Sequence, residues 1–434
     1  MDKMADVLGR AGAWCGQNKY LSAIKNAFQN FMPLTIAGAI GVLWCNVLVN
    51  DQTGLGIFFK PIMALDFLNP AFQAVNFCTI SCITVGITLG IAQEIGVWNM
   101  GAEKAGYIPG LVGLAAWLSV TNTSHMVEGA KEAFTGIAGN ELGATGLFTG
   151  MIIGVLSVEL FCFFEKQDAL KIKMPEQVPP GVARAFEVLV PATITLIITA
   201  CIGSACYNLT GLYLNDVIKN GIQGPLGAVG ATIPGVMIIY LVIMLFWLVG
   251  IHGNNMLSAV KEALFTPLAL ENVEKFNKGE KPTNIINMYA IQMWGEIGGS
   301  GCTLGLVIAI FIFSKREDNR AIASLSIVPG CFEINETVTF GIPMVLNPIL
   351  GIPFVLTPII LEIVGYVLTV IGFCPVACLT VPWTCPPLIF GFLATGAQFM
   401  GAVTQAILIA LSVVIYTPFL ISYEKYQNKQ AVEA

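Results

Sequence analysis

FEINETVTFGIPMVLNPI, residues 332–349, sets two carboxylates, Glu333 and Glu336, between long apolar runs. An ionised carboxylate in hydrocarbon costs several kcal/mol or more, so a membrane chain keeps one only where water, a partner or a substrate meets it. The same run holds Gly341, Pro343 and Pro348. Such residues break a spanning helix and free backbone groups that must be satisfied inside protein. Broken backbone beside a buried acid points to a polar ligand site within a membrane.

The surrounding composition agrees. Of 434 residues, 56% are hydrophobic and 11% charged, and the mean hydropathy is +0.77. A soluble domain carries about 25% charged residues. Apolar runs recur along the whole chain and leave no soluble block, so we expect one membrane unit over 1–434 with no attached enzyme domain. The net charge of −6 is spread over short loops. Nothing forms the basic stripe that nucleic acid requires. The N-terminal stretch lacks a signal-peptide pattern. The 12 cysteines lie mostly within apolar runs. The pairs Cys78/Cys82 and Cys374/Cys378 have no histidine or carboxylate cluster beside them, so they read as small buried hydrophobes rather than a metal site or a disulfide.

Spans near the ~20 residues a bilayer needs are expected at 31–49, 74–95, 144–163, 187–210, 228–250, 300–314, 347–372 and 400–423, with a weaker one at 107–120. Residues 14–29 suit an amphipathic helix at the interface. Lys and Arg concentrate before residue 30, in 166–184, in 315–320 and in the C-terminal tail. The 121–143 loop carries Glu128, Glu132 and Glu141 against one lysine. The positive-inside rule then places both termini in the cytoplasm and 121–143 outside. For 315–320 to be cytoplasmic as well, something between 251 and 299 must cross or dip. Residues 321–346 and 374–398 are apolar but broken by Pro and Gly, and read as re-entrant hairpins or broken helices lining a cavity. The fold class expected is an all-α polytopic membrane protein.

The unusual residues fall on those irregular stretches. His252, in WLVGIHGNNM (247–256), is bracketed by Gly250 and Gly253 and followed by Asn254 and Asn255. A helix-end histidine satisfied by a carbonyl is the plain alternative, but two glycines, Trp247 and two amides favour a ligand contact. Asn335 and Glu336 offer an amide and a carboxylate side by side, and no Lys or Arg lies within ten residues of Glu336. A carboxylate accepting from hydroxyls is a strong way to grip a sugar. Glu333 is the weaker candidate, since it also suits contact with water or a partner. Trp383, in VPWTCPP (381–387), suits stacking on a pyranose face or a place in the interfacial aromatic belt. Trp247 has the same two readings. GGSGCTLGL (298–306) allows close helix approach, and it lacks the context of a phosphate loop. Glu296, just before it, joins a scattered set of membrane-edge acids. No nucleophile–base motif is present.

IHG (251–253), GGSGCTLGL (298–306), INE (334–336) with FGIPMVLNPI (340–349), PWTCP (382–386) and LSAIKNAFQNFMPLTIAGAI (21–40) together resemble the membrane (IIC) component of bacterial phosphotransferase systems, in the lactose/cellobiose/diacetylchitobiose branch. The resemblance runs in order over nearly the whole chain. It implies about ten transmembrane helices with re-entrant hairpins and an N-terminal amphipathic helix. It also implies a homodimer in the bacterial cell membrane, with 1–250 mainly dimerisation scaffold and 251–434 mainly sugar-binding transport part. No cofactor or metal is implied.

The function implied is inward carriage of a β-linked disaccharide, phosphorylated by the phosphocysteine of a separate IIB protein that is charged through IIA. Neither IIA nor IIB is fused here, and no phosphoryl-carrying residue is expected in this chain. His252, Asn335 and Glu336 fall on positions that contact sugar hydroxyls, and Trp383 on the one that stacks; Trp247 and Asn254 are their neighbours. The resemblance sets His252 and Glu336 near the hydroxyl to be phosphorylated. The departures are Thr337 where proline is usual, and Asn254, Asn255, Met256 and Glu296 where apolar residues are commoner. A proton-coupled secondary transporter using Glu336 or Glu296, and a sugar sensor that moves nothing, are the alternatives.

Overall fold

A computed structural model describes residues 10, 14, 17–51, 55–125, 134–175, 177–225, 230–342 and 344–433. Pro343, Glu128 and Glu132 lie outside the described residues. Five of the described helices are long and apolar enough to cross a membrane, six if the pair Lys60–Ser81 and Ile83–Met100, bent by 42°, is one span. Three shorter apolar helices accompany them. The chain divides into two compact units.

One unit comprises Gln17–Gly38 and Val75–Leu226. Most of the first helix, α1 (Lys19–Leu43), belongs to it. The polar stretch expected to lie at the interface and the first expected span are therefore one continuous helix, not two elements. Then come α2 (Ile83–Met100), α3 (Ile108–Val120), α4 (Ala144–Glu165) and α5 (Pro180–Thr210). Ile83, Ile87, Ile91 and Ile95 recur every fourth residue and share one fully buried face of α2. Small residues let the helices close: a Cβ on Gly150 of α4 would overlap Thr88 of α2. Trp117 of α3 is buried against Ala116, Val120 and Ile153. Glu165, buried at the end of α4, is paired with Lys104 at 2.8 Å and Arg184 at 3.0 Å, as a buried charge requires. Two short antiparallel strands, β1 (Ser124–His125) and β2 (Phe134–Thr135), pair between α3 and α4.

The other unit comprises Met1–Gly16, Ala39–Ala74 and Gly227–Ala434. Its helices are α6 (Ile233–Leu248), α7 (Gly253–Asn277), α8 (Met288–Gly295), α9 (Leu304–Phe313), α10 (Glu317–Gly330), α11 (Glu336–Gly341), α12 (Gly351–Val370), α13 (Ile389–Ala394) and α14 (Phe399–Glu433). Between 251 and 299 lies α7, about 37 Å long at ~1.5 Å per residue. The span expected at 300–314 is not one. Its first residues form a turn, and only the 10 residues of α9 are helical, about 15 Å and too short to cross. Left-handed backbone at Gly298, Gly299, Gly301 and Cys302 ends any helix there. After Ser314–Arg316 the chain turns back as α10, so the broken segment begins earlier than 321.

Backbone freed by these breaks is satisfied inside the unit. Asn272 of α7 donates to the carbonyls of Asn284 (2.8 Å) and Ala377 (2.9 Å) and accepts from the amides of Thr283 (3.1 Å) and Asn284 (3.0 Å). Gln405 of α14 accepts from the amides of Leu388 and Gly391, both at 2.7 Å. The 374–398 segment is thus held by side chains where it lacks helix, as irregular backbone at membrane depth requires.

Candidate functional site

Glu336 opens α11 and His252 caps α7, and both come from ends that Pro- and Gly-rich stretches create. His252 Nδ1 accepts from the amide of Asn255 at 3.3 Å, which in the neutral ring leaves the proton on Nε2. That nitrogen stands 3.7 Å from Glu336 Oε1. The gap is too long for a direct hydrogen bond, yet one hydroxyl oxygen can sit about 2.8 Å from both atoms. The side chains are 38% and 47% exposed, so a ligand can reach them. A donor and an acceptor thus stand a bridging distance apart.

Trp247 does not join them as a stacking surface. It is 1% exposed and packs against His252 with ring centroids 4.5 Å apart, with Phe340 and Phe354 each at 6.4 Å. Its work is to fix the imidazole. Trp383, by contrast, is 44% exposed on a turn closed by the Cys385 amide donating to the Pro382 carbonyl at 2.9 Å.

Asn335 is buried, 3% exposed, and its amide nitrogen donates to the Ser300 carbonyl at 2.7 Å. Asn254 donates to Ser300 Oγ at 3.0 Å, while its own Oδ1 is buried with no partner among the described residues. Glu333, in left-handed backbone at φ +64°, accepts from the Gly299 amide at 2.8 Å. Asn335 and Glu333 therefore brace the loop against the 296–303 turn, and Asn254 does so from α7. A Cβ on Gly299 would come 2.8 Å from the Glu333 carbonyl oxygen, so only glycine permits this approach.

Sequence reasoning did not find Ser300 or Gly299 as parts of the site. The density of glycines in GGSG was the available signal: at 298–301 they form a polar turn as well as a close approach. It also missed Lys261, a buried cation in α7. Lys261 pairs with Glu296, whose Oε1 also accepts from the Tyr240 hydroxyl at 3.0 Å. Glu296 is consequently a paired acid rather than a lone one.

Residues 25–358 match the family described as Phosphotransferase system, EIIC. The oligo-beta-mannoside-specific EIIC component of Bacillus subtilis (strain 168) is 32% identical, over 100% of this chain and 97% of its own length. The cellobiose-specific EIIC component of Geobacillus stearothermophilus is 30% identical over 98% of this chain and 93% of its own length. The crystal structure of the transporter ChbC, the IIC component of the N,N'-diacetylchitobiose-specific phosphotransferase system, superimposes with a TM-score of 0.88 at 30% identity, covering 96% of each chain. These likenesses extend over the whole of both units, and with them the polytopic helical fold read from the sequence is established: the chain belongs to the EIIC family of the phosphotransferase system.

Proposed function

We propose that this permease subunit carries a β-linked disaccharide of the cellobiose, diacetylchitobiose or lactose kind inward and presents it for phosphorylation by a separate phospho-IIB protein. The observation that carries the proposal is the His252–Glu336 pair, spaced to share one hydroxyl. In the transfer, the S–P bond of the IIB phosphocysteine breaks and an O–P bond to that hydroxyl forms. The hydroxyl proton passes to the Glu336 carboxylate, and His252 orients the oxygen through Nε2. Trp383 stacks on the apolar face of a pyranose ring, and Asn254 Oδ1 accepts from a second hydroxyl. Asn335 keeps the Glu336 backbone in register.

In this reading 251–434 is mainly the transport part and 1–250 mainly the dimerisation scaffold of a homodimer, with both termini in the cytoplasm. The similarity to oligo-beta-mannoside, cellobiose and diacetylchitobiose components supports the substrate class. The test is calorimetric titration of the purified chain with cellobiose, diacetylchitobiose and lactose, beside Glu336→Gln. One sugar binds the parent chain, and the variant, still folded, loses most of that affinity. Unchanged affinity in the variant sinks the assignment.

A further inference from the structure

We propose that Lys261 is a positioning residue for the sugar site, holding the 296–303 turn through Glu296 so that Gly299 and Ser300 keep Glu333, Asn335 and Asn254 in place. The inference rests on His252 and Glu336 being the sugar-hydroxyl pair. Lys261 lies in α7 and is buried, with its ammonium on Glu296 and 5.7 Å from the centre of the Tyr240 ring. The Tyr240 hydroxyl, from α6, lies 3.0 Å from the same carboxylate oxygen and 3.1 Å from the Ile291 carbonyl. Two helices thus grip one side chain at the start of the turn.

The backbone after Glu296 needs such a grip. Gly298, Gly299 and Gly301 have φ of +73°, +83° and +81°, and Cys302 is at +53° although it bears a side chain. Glycine gains the most freedom when such a turn loosens, and a non-glycine residue there carries strain. The Gly299 amide lies 2.8 Å from the Glu296 carbonyl and 2.8 Å from Glu333 Oε2, so the anchor and the acidic loop meet at one N–H. The next residue, Ser300, takes Asn254 on its hydroxyl and Asn335 on its carbonyl. Every link from Lys261 to the Glu336 loop is therefore a named contact. Truncating Lys261 removes the cation that pairs Glu296, and the turn loses its anchor on α7.

The test is titration of the purified full chain with the tightest-binding of cellobiose, diacetylchitobiose and lactose, with thermal unfolding measured alongside. Lys261→Met weakens binding by about ten-fold or more, and Lys261→Arg, which keeps a cation for Glu296, restores it to within about three-fold. Combining Lys261→Met with Asn335→Ala weakens binding no more than the worse single variant, because both release the same turn. Should Lys261→Met fail to fold, the neutral pair Lys261→Met with Glu296→Gln is measured instead, and it too binds about ten-fold more weakly. Parent-like affinity in that pair or in Lys261→Met, beside a Glu336→Gln variant that has lost binding, overturns this inference alone. Multiplying losses in the Asn335 combination overturn it as well, since independent effects mean a merely structural lysine. Retained affinity in Glu336→Gln removes both this inference and the site it serves.

Discussion

In residues 75–226, helix meets helix through small side chains and a ladder of buried isoleucines; in residues 227–434, helices stop short and polar turns hold the chain. The first arrangement satisfies most of its backbone within long helices, so its side chains contribute mainly dispersion and close approach. The second leaves backbone groups outside helices at 296–303 and 374–388 and engages Asn272, Asn335 and Gln405 to satisfy them. Trp383 sits in one of those breaks, Glu336 at the break before α11 and His252 at the break before α7, each partly exposed. On the proposed reading, stability is concentrated in one region and ligand chemistry in the other, where polar side chains sit at helix ends.

That contrast breaks first, and most, at Glu336. Glu336→Gln keeps the volume but loses the charge-assisted acceptor, and we expect affinity for the disaccharide to fall about 100-fold, with the melting temperature within a few degrees of the parent. A matching drop in melting temperature places the acid in structure instead. Gly150→Val is the reverse case. Its side chain must displace Thr88, so unfolding is easier by about 2–3 kcal/mol while sugar affinity in the folded fraction stays unchanged. Altered affinity there removes the division of labour. Trp383→Ala then loses a stacking face and weakens binding about ten-fold, whereas Trp383→Phe loses about three-fold; equal effects mean that the indole only sits at the interface.

The smallest effect is at the surface turn joining α9 to α10. Asp318 hydrogen-bonds Arg316 at 2.6 Å, and that guanidinium holds its carboxyl below the ordinary range. A lowered folded value means stability present above the unfolded carboxylate value, ~3.9, and lost as pH falls through the lower folded one. The pair is solvent-exposed and screened by salt, so Asp318→Asn changes stability at neutral pH by about 1 kcal/mol at most and flattens its decline below pH ~4. Unfolding curves of the parent and the variant that decline in parallel contradict the pairing.

Much of this was legible from residue chemistry. An acid with no nearby cation in an apolar run marked Glu336, and two bracketing glycines marked His252. Long hydrophobic runs marked α1, α4, α5, α12 and α14. What escaped was set by three-dimensional pairing. Lys261 and Glu296 are 35 positions apart, and no spacing rule links them. Trp247 was legible as an aromatic beside the histidine, but only packing against Phe340 and Phe354 buries it. Ser300 is a small polar residue in a glycine run, where sequence alone cannot tell a helix-contact stripe from a turn whose carbonyl and hydroxyl are both in use. The 300–314 run looked like a span because apolar length is counted before left-handed backbone is seen.

The most direct test is uptake of labelled cellobiose, diacetylchitobiose and lactose into vesicles containing the chain, with and without phosphoenolpyruvate and the soluble phosphotransfer proteins. The account predicts that one of these sugars accumulates as its phosphate, only when the phosphate chain is complete, and not in Glu336→Gln vesicles. Accumulation of the unmodified sugar under a proton gradient, with no need for phosphoenolpyruvate, contradicts it.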